Sequence, residues 1–239
     1  MSAADAAPSS PAVGVTDRGE ALRFRDVIKI YRSGPVETVA LRGLSLDAGP
    51  GELVALLGPS GCGKSTVLSL CAGLDQPSAG EVWVSGRHLA RLTEPEVDEL
   101  RASSIALVLQ SGNLWSWLTA RGNVIIGCRL AGVDDAERRA DEALEVFGMA
   151  RRARVRAGEL SGGEQQRVAV AAAYARRPEI VLADEPTGEL DSGNERIVLE
   201  ALLSLRDDSH AAVLVVTHSQ RVAERADRVL EMRDGQVVP

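Results

Sequence analysis

Nine consecutive residues, Gly58-Pro59-Ser60-Gly61-Cys62-Gly63-Lys64-Ser65-Thr66, constrain this chain more tightly than any other stretch. They follow a short apolar run, Leu53-Val54-Ala55-Leu56-Leu57, and lead into Val67-Leu68-Ser69-Leu70. Strand, glycine loop and helix in that order make the setting a phosphate-binding loop requires. Gly58, Gly61 and Gly63 lack Cβ atoms, so the backbone can turn tightly and aim its N–H groups at a phosphate. The helix that follows adds a partial positive charge at the same point. Lys64 can reach the β- and γ-phosphates of a nucleotide, and Ser65 offers a hydroxyl to Mg²⁺. A mere glycine-rich turn with a solvated lysine would need none of this spacing. The loop speaks for nucleotide binding and leaves open what the nucleotide drives.

The chain has 239 residues, enough for one large α/β domain or two small ones with a buried core. Hydrophobic residues make up 45% and charged residues 26%, as in ordinary globular proteins. The net charge of −7 gives no global attraction to nucleic acid, so none is expected as a partner. One local basic cluster, Arg151, Arg152, Arg154 and Arg156, reads as a solvated or partner-facing surface. Cys62, Cys71 and Cys128 form no C-x-x-C pair and no metal-ligand spacing, which reads as reduced cytosolic thiols. Cys62 lies beside Lys64 at a helix start, and both features favour a reactive thiolate there. No apolar run approaches the ~20 residues that cross a bilayer. Residues 1–20, rich in Ala, Ser and Pro and lacking an apolar signal core, read as a disordered tail.

Along the chain, Leu22 to Tyr31 and Val36 to Asp47 read as strands across the Ser33-Gly34-Pro35 turn. Gln76 to Gly80 breaks the helix after the glycine loop, and Glu81 to Ser85 is a further strand. Thr93 with Glu96 has capping-box spacing and opens a helix to about Ala102. Ile105 to Leu109 is a buried strand ending at Gln110. From 111 to about 160 the pattern is helical, which reads as an inserted lobe. A helix Gly162–Arg176, a strand Ile180–Ala183, a helix Ser192–Leu205 and a strand Ala211–Val216 follow, and Val237 and Val238 close the chain after the Asp234-Gly235 turn.

Two further constellations carry chemistry. The strand Ile180–Ala183 ends in Asp184 and Glu185; beside a phosphate loop the first carboxylate can hold Mg²⁺ and the second can polarise a water. Leu160-Ser161-Gly162-Gly163-Glu164-Gln165 places two glycines and a serine hydroxyl at a helix start, which suits a second phosphate contact.

Taken in order, these motifs resemble the nucleotide-binding subunit of an ATP-binding-cassette (ABC) transporter over about Leu22 to Val238. The resemblance implies an α/β fold: a P-loop NTPase core with a mainly parallel sheet, an N-terminal antiparallel β subdomain and the inserted helical lobe, all within one domain spanning 21–239. It implies ATP and Mg²⁺ as ligands and assigns Gly58–Thr66, that is Gly58, Pro59, Ser60, Gly61, Cys62, Gly63, Lys64, Ser65 and Thr66, as the Walker A loop. Tyr31 would stack on adenine, and Gln110 would sense the γ-phosphate through Mg²⁺ or water. Ser161, Gly162, Gly163 and Glu164 would be the signature motif, and Asp184 would join Ser65 and Gln110 at the metal. Glu185, His218 and Lys64 would be catalytic, with Asp191 in a loop that crosses between subunits.

Gly163–Arg167, Ala183–Gly188 and Ala226–Gly235 are similar to the macrolide-export and lipoprotein-release branch of that family. The expected partners are a second copy of the chain, head to tail, and a separate membrane permease. The expected place is cytoplasmic, on the inner face of the cell membrane through that permease. Members of the branch export substrates, extract lipoproteins, or signal to cell-wall remodelling without transport, and the last reading stands beside the first two. An ABC ATPase acting on DNA or ribosomes would call for a tandem cassette, coiled coils or zinc-binding cysteines, and a small P-loop kinase has no use for Leu160–Gln165. Gly112, Trp115, Trp117, Ala172, Glu189 and Ser219 depart from the usual pattern without removing a catalytic group. Of the two tryptophans, alternate spacing turns one outward, with Trp115 favoured to face the permease; the other reading packs both in the core of the lobe.

Overall fold

A computed structural model describes residues 20–188 and 190–238; the expected tail lies outside them apart from Glu20, and so does Glu189. β1 (Leu22–Ser33) and β2 (Val36–Ala48) form an antiparallel hairpin. β3 (Leu53–Leu57) runs into the glycine loop and α1 (Lys64–Cys71) leaves it. β4 (Ala79–Val84) and β5 (Arg87–His88) complete a four-stranded antiparallel sheet in the order β2-β1-β4-β5. α2 (Glu94–Ser104) opens as expected: the Glu96 carboxylate accepts the Thr93 N–H and hydroxyl, both at 2.8 Å.

β6 (Ile105–Val108), α3 (Ala120–Leu130), α4 (Ala136–Val146), α5 (Gly162–Arg176), β7 (Ile180–Asp184) and α6 (Ser192–Ser209) follow. β8 (Ala212–Thr217), α7 (Gln220–Arg225), β9 (Arg228–Arg233) and β10 (Gln236–Val238) end the chain. A six-stranded sheet has the order β10-β9-β3-β8-β7-β6, parallel except for β10. β5, α7 and β9 have no counterpart in the sequence reading: β5 and α7, at two and six residues, are too short for a period to show, and β9 exposes Val229 and lacks the unbroken apolar run of its neighbours.

Strand residues alternate across the parallel sheet. Val181, Ala183, Val213 and Val215 face a core shared with α3 to α6, while Ile180, Leu182, Leu214 and Val216 face one shared with α1 and the antiparallel sheet. That double burial is why these strands read as unbroken apolar runs. Val124 and Cys128 of α3 and Leu144 of α4 pack in one core with Val168 and Ala171 of α5. Among the described residues no helix is long and apolar enough to cross a membrane.

Candidate functional site

The glycine loop sits at the carboxyl end of β3, with β8 and β9 on either side. Parallel α/β sheets bind ligands at that edge. Two glycines there are dictated by space. Gly58 runs so close to the Met232 carbonyl and the Cys62 thiol that a Cβ would collide with both. Gly63 caps α1 at φ +109°, and a Cβ there would lie 2.6 Å from the Ala40 carbonyl. Lys64 curls over the loop, its Nζ donating to the Gly58 carbonyl at 2.8 Å and the Pro59 carbonyl at 3.0 Å. Ser60, Gly61 and Ser65 are exposed beside it, and Thr66 is half-buried.

Cys62 departs from the expectation of a reactive thiolate. It is 5% exposed and belongs to the core that contains Leu41, Val67 and Met232. Its small side chain fills the space under the loop. Cys71 and Cys128 are buried too, and burial pushes both thiols up.

Asp184 ends β7 and meets the loop across 119 residues of chain: Ser65 Oγ donates to Asp184 Oδ2 at 3.2 Å. Burial raises the Asp184 carboxyl above its ordinary range; the Ser65 hydrogen bond works against this, the neighbouring Glu185 adds to it, and Lys64 opposes it. Glu185 follows in the left-handed region at φ +44°, a strained state for a residue with a Cβ. Its N–H donates to the Val216 carbonyl at 2.8 Å. That turn re-aims the Glu185 carboxylate toward the end of β8. There Oε2 accepts the Thr217 hydroxyl at 3.0 Å and the His218 N–H at 3.3 Å, and Oε1 lies 2.9 Å from His218 Nδ1. The His218 imidazole is itself 73% exposed. Thr217 is fully buried and carries no sequence signal of its own, lying just past the apolar run that ends at Val216.

Gln110 is exposed, just past β6 at the same sheet edge. The strand stops at Val108, before Leu109, because a side chain takes over its pairing. Asn113 Oδ1 accepts the Leu109 N–H at 2.7 Å and Asn113 Nδ2 donates to the Leu109 carbonyl at 2.6 Å. Asn113 Nδ2 also reaches Gln166 Oε1 at 3.3 Å, and Gln166 Nε2 donates to the Leu109 carbonyl at 3.2 Å. The loop holding Gln110 is thereby tied to α5, a link between residues too distant in sequence to signal each other.

Ser161 caps α5, its Oγ accepting the Glu164 N–H at 3.3 Å while Glu164 Oε2 accepts the Ser161 N–H at 2.9 Å. Arg152 Nε holds the other carboxylate oxygen at 3.0 Å. Glu164 is thus engaged within its own lobe, with Ser161 and Gly162 exposed and Gly163 half-buried at the helix end. Arg151, Arg154 and Arg156 remain exposed. Asp191 caps α6, its Oδ1 accepting the Gly193 and Asn194 N–H groups at 3.0 Å. Tyr31 is 41% exposed on β1. Its hydroxyl donates to Asp75 at 2.9 Å, and Lys29 Nζ lies 4.8 Å from the ring centroid. Asp75 follows the far end of α1, so this anchor stands about 12 Å along the helix from the loop.

The tryptophans do not divide as expected: Trp115 is 40% and Trp117 68% exposed, so both face outward and Trp117 more so. Asn123 explains this. Buried on α3, it accepts the Trp115 N–H at 2.8 Å and donates to the carbonyls of Trp115 and Thr119 at 3.1 and 3.0 Å. The backbone is clamped inward and the indoles stay outside. Trp115 borders a cavity of about 150 Å³ that Gly127, Ala172 and Arg176 also line.

The arrangement therefore gathers Lys64, Ser65, Asp184, Glu185 and His218 at one sheet edge, with Gln110 on its flank. The Ser161 helix end faces outward from the same chain. Residues 41–188 match a family described as ABC transporter. The lipoprotein-releasing system ATP-binding protein LolD of Pseudomonas fluorescens is 42% identical over 219 residues, covering 91% of this chain and 96% of that protein. The macrolide export ATP-binding/permease protein MacB of Azoarcus sp. is 39% identical over 232 residues, 96% of this chain and 35% of that protein. A dimeric post-hydrolysis structure of the ATP-binding cassette MJ0796, bound to ADP and Pi, superposes with a TM-score of 0.85 at 35% identity, covering 91% of this chain and 97% of that one.

Proposed function

The chain belongs to the ABC transporter family and is an ATP-binding ATPase, and from that premise we propose that two copies close head to tail on ATP and drive a separate membrane permease. Lys64, the loop N–H groups and the amino end of α1 neutralise the β- and γ-phosphates. Ser65 and Asp184 converge at 3.2 Å as hard oxygen donors. That set fits Mg²⁺, which takes one or two carboxylates and shares its remaining positions with phosphate oxygens and water. Ser65, Asp184 and Gln110 would hold the ion, which would supply charge neutralisation to phosphoryl transfer. Glu185 orients the attacking water and accepts its proton, held by Thr217 and His218. His218 contacts the γ-phosphate and Tyr31 offers its exposed ring to adenine. Ser161, Gly162 and Gly163 of the second copy close over the nucleotide, while Glu164 rigidifies that helix end, and Asp191 lies where the copies cross. Residues 21–239 act as one ATPase domain. On the likeness to proteins of lipoprotein release and macrolide export, we assign the chain to a permease of export or extraction type at the inner face of the cell membrane.

The observation that carries this reading is the gathering of Lys64, Ser65, Asp184, Glu185 and His218 at one sheet edge while the capped end of α5 is exposed on the same subunit. A second copy completes the site. Light scattering on the Glu185→Gln chain with Mg-ATP tests it, and a dimer is expected. Gly162 has open space around it, so Gly162→Asp leaves the fold intact and puts a negative charge where the triphosphate would sit. Added to the Glu185→Gln chain, it should abolish the dimer and leave nucleotide binding to the loop. A dimer that survives Gly162→Asp would sink the head-to-tail arrangement.

A further inference from the structure

We propose that Glu195 is a positioning residue for ATP hydrolysis, fastening the His218 loop to the first turn of α6 through Ser219. The inference rests on the functional reading above for the roles of His218 and Asp191. Its geometry stands independently of them. Ser219 Oγ donates to Glu195 Oε1 at 2.9 Å, and Arg221 Nη1 reaches Glu195 Oε2 at 2.6 Å. The Glu195 side chain is 14% exposed, whereas Arg221 is 63% exposed. The exposed ion pair is therefore screened, and the sheltered hydroxyl–carboxylate bond is the stronger arm.

Ser219 heads α7, a helix of six residues that gains no side-chain cap from it. Its hydroxyl is turned away from its own helix and given to α6. The Ser219 N–H donates to Thr217 Oγ1 at 3.0 Å, and Thr217 donates to Glu185. On the other side, the Glu195 N–H donates to the Asp191 carbonyl at 2.8 Å within the turn that Asp191 caps. Hydrogen bonds, joined through the Ser219 and Glu195 residues themselves, thus link Glu185 by way of Thr217 to the Asp191 turn. A contact made by Asp191 with a second copy would bear on His218 and Glu185 of its own subunit. Hydrolysis at one ATP would then depend on closure at the other.

Steady-state kinetics on the full chain, paired with hydrogen exchange over residues 217–223, test the tether. Glu195→Ala and Ser219→Ala should each lower kcat by about tenfold, the worth of one hydrogen bond to a charged group. The KM for ATP should move by less than about twofold, since the loop that binds ATP is untouched. The double variant should be no slower than Glu195→Ala alone, because both changes remove the same bond. Ser219→Asp should be slower still, with two carboxylates facing each other, and Glu195→Gln in that background should recover rate by donating to the new carboxylate. In the nucleotide-free chain, Glu195→Ala should speed exchange across 217–223. Additive losses in the double variant, no recovery on adding Glu195→Gln, or unchanged exchange would each overturn the proposal. A wild-type chain that binds ATP without hydrolysing it would remove the functional reading, and the exchange measurement would still decide on the tether.

Discussion

Between Asp184 and Glu185 the backbone crosses from strand into the left-handed region, and that single step separates two adjacent carboxylates. Asp184 keeps to the loop and Ser65; Glu185 swings to Thr217 and His218. Glu185→Gln should lower turnover by ~10²–10⁴-fold, the contribution of a general base, while ATP binding persists. Near-normal hydrolysis in that variant would overturn the role. Asp184 gives a pH signature. Its carboxyl is raised from an ordinary 3.8, mainly by burial, so its contribution to stability is present below that value and lost as pH rises through the folded one. Near neutrality the ionised group weighs against the nucleotide-free fold. Asp184→Asn should therefore raise the melting temperature at about pH 7, with the gain fading toward about pH 4, while Mg-ATP hydrolysis is lost. Calorimetry across a pH series would contradict this if the gain grew toward acid. Cys62 should react slowly with maleimide in the native state, as a buried thiol does, and labelling at the rate of a free thiol would contradict the packing.

At the scale of elements, function is delivered by ends of helices and strands. The loop from β6 to α3 is the clearest case, since it carries Gln110, Trp115 and Trp117 and is held by Asn113 and Asn123. Trp117→Ala should leave the melting temperature nearly unchanged, because the indole is 68% exposed, and should weaken retention of the permease in a pull-down. Asn123→Ala removes a buried amide and leaves its backbone partners unsatisfied. At ~1–3 kcal/mol per such group, and ~2–4 °C per kcal/mol at this size, the melting temperature should fall by about 5 °C. Unfolding by Trp117→Ala, or an unaffected Asn123→Ala, would reverse this assignment of docking and structural roles.

For the molecule as a whole, the two cores lie on opposite faces of the parallel sheet, and β3, β7 and β8 end together at its carboxyl edge. A ligand bound there stabilises all of them at once. At about a hundred times its Kd, Mg-ATP should add ~2.7 kcal/mol, or about 5–10 °C in melting temperature. Lys64→Ala should erase most of that shift, and EDTA should diminish it. An equal rise in the Lys64→Ala chain would mean that the nucleotide binds elsewhere.

What the sequence determined by itself was everything carried by near neighbours. The loop Gly58–Thr66 and the box Thr93–Glu96 each show in residues only a few positions apart, so spacing alone specifies them. β3, β6, β7 and β8 announced themselves because burial on both faces leaves an unbroken apolar run, whereas β9, with Val229 exposed, did not. Tertiary structure alone decided which distant groups meet. Ser65 reaches Asp184 across 119 residues, Asn113 reaches Gln166 across 53, and Ser219 reaches Glu195 across 24. It also decided which side chains face water, burying Cys62 and turning both tryptophans outward. No local period encodes such pairings. They arise when strands stack in the order β9-β3-β8-β7-β6 and bring their carboxyl ends to one edge.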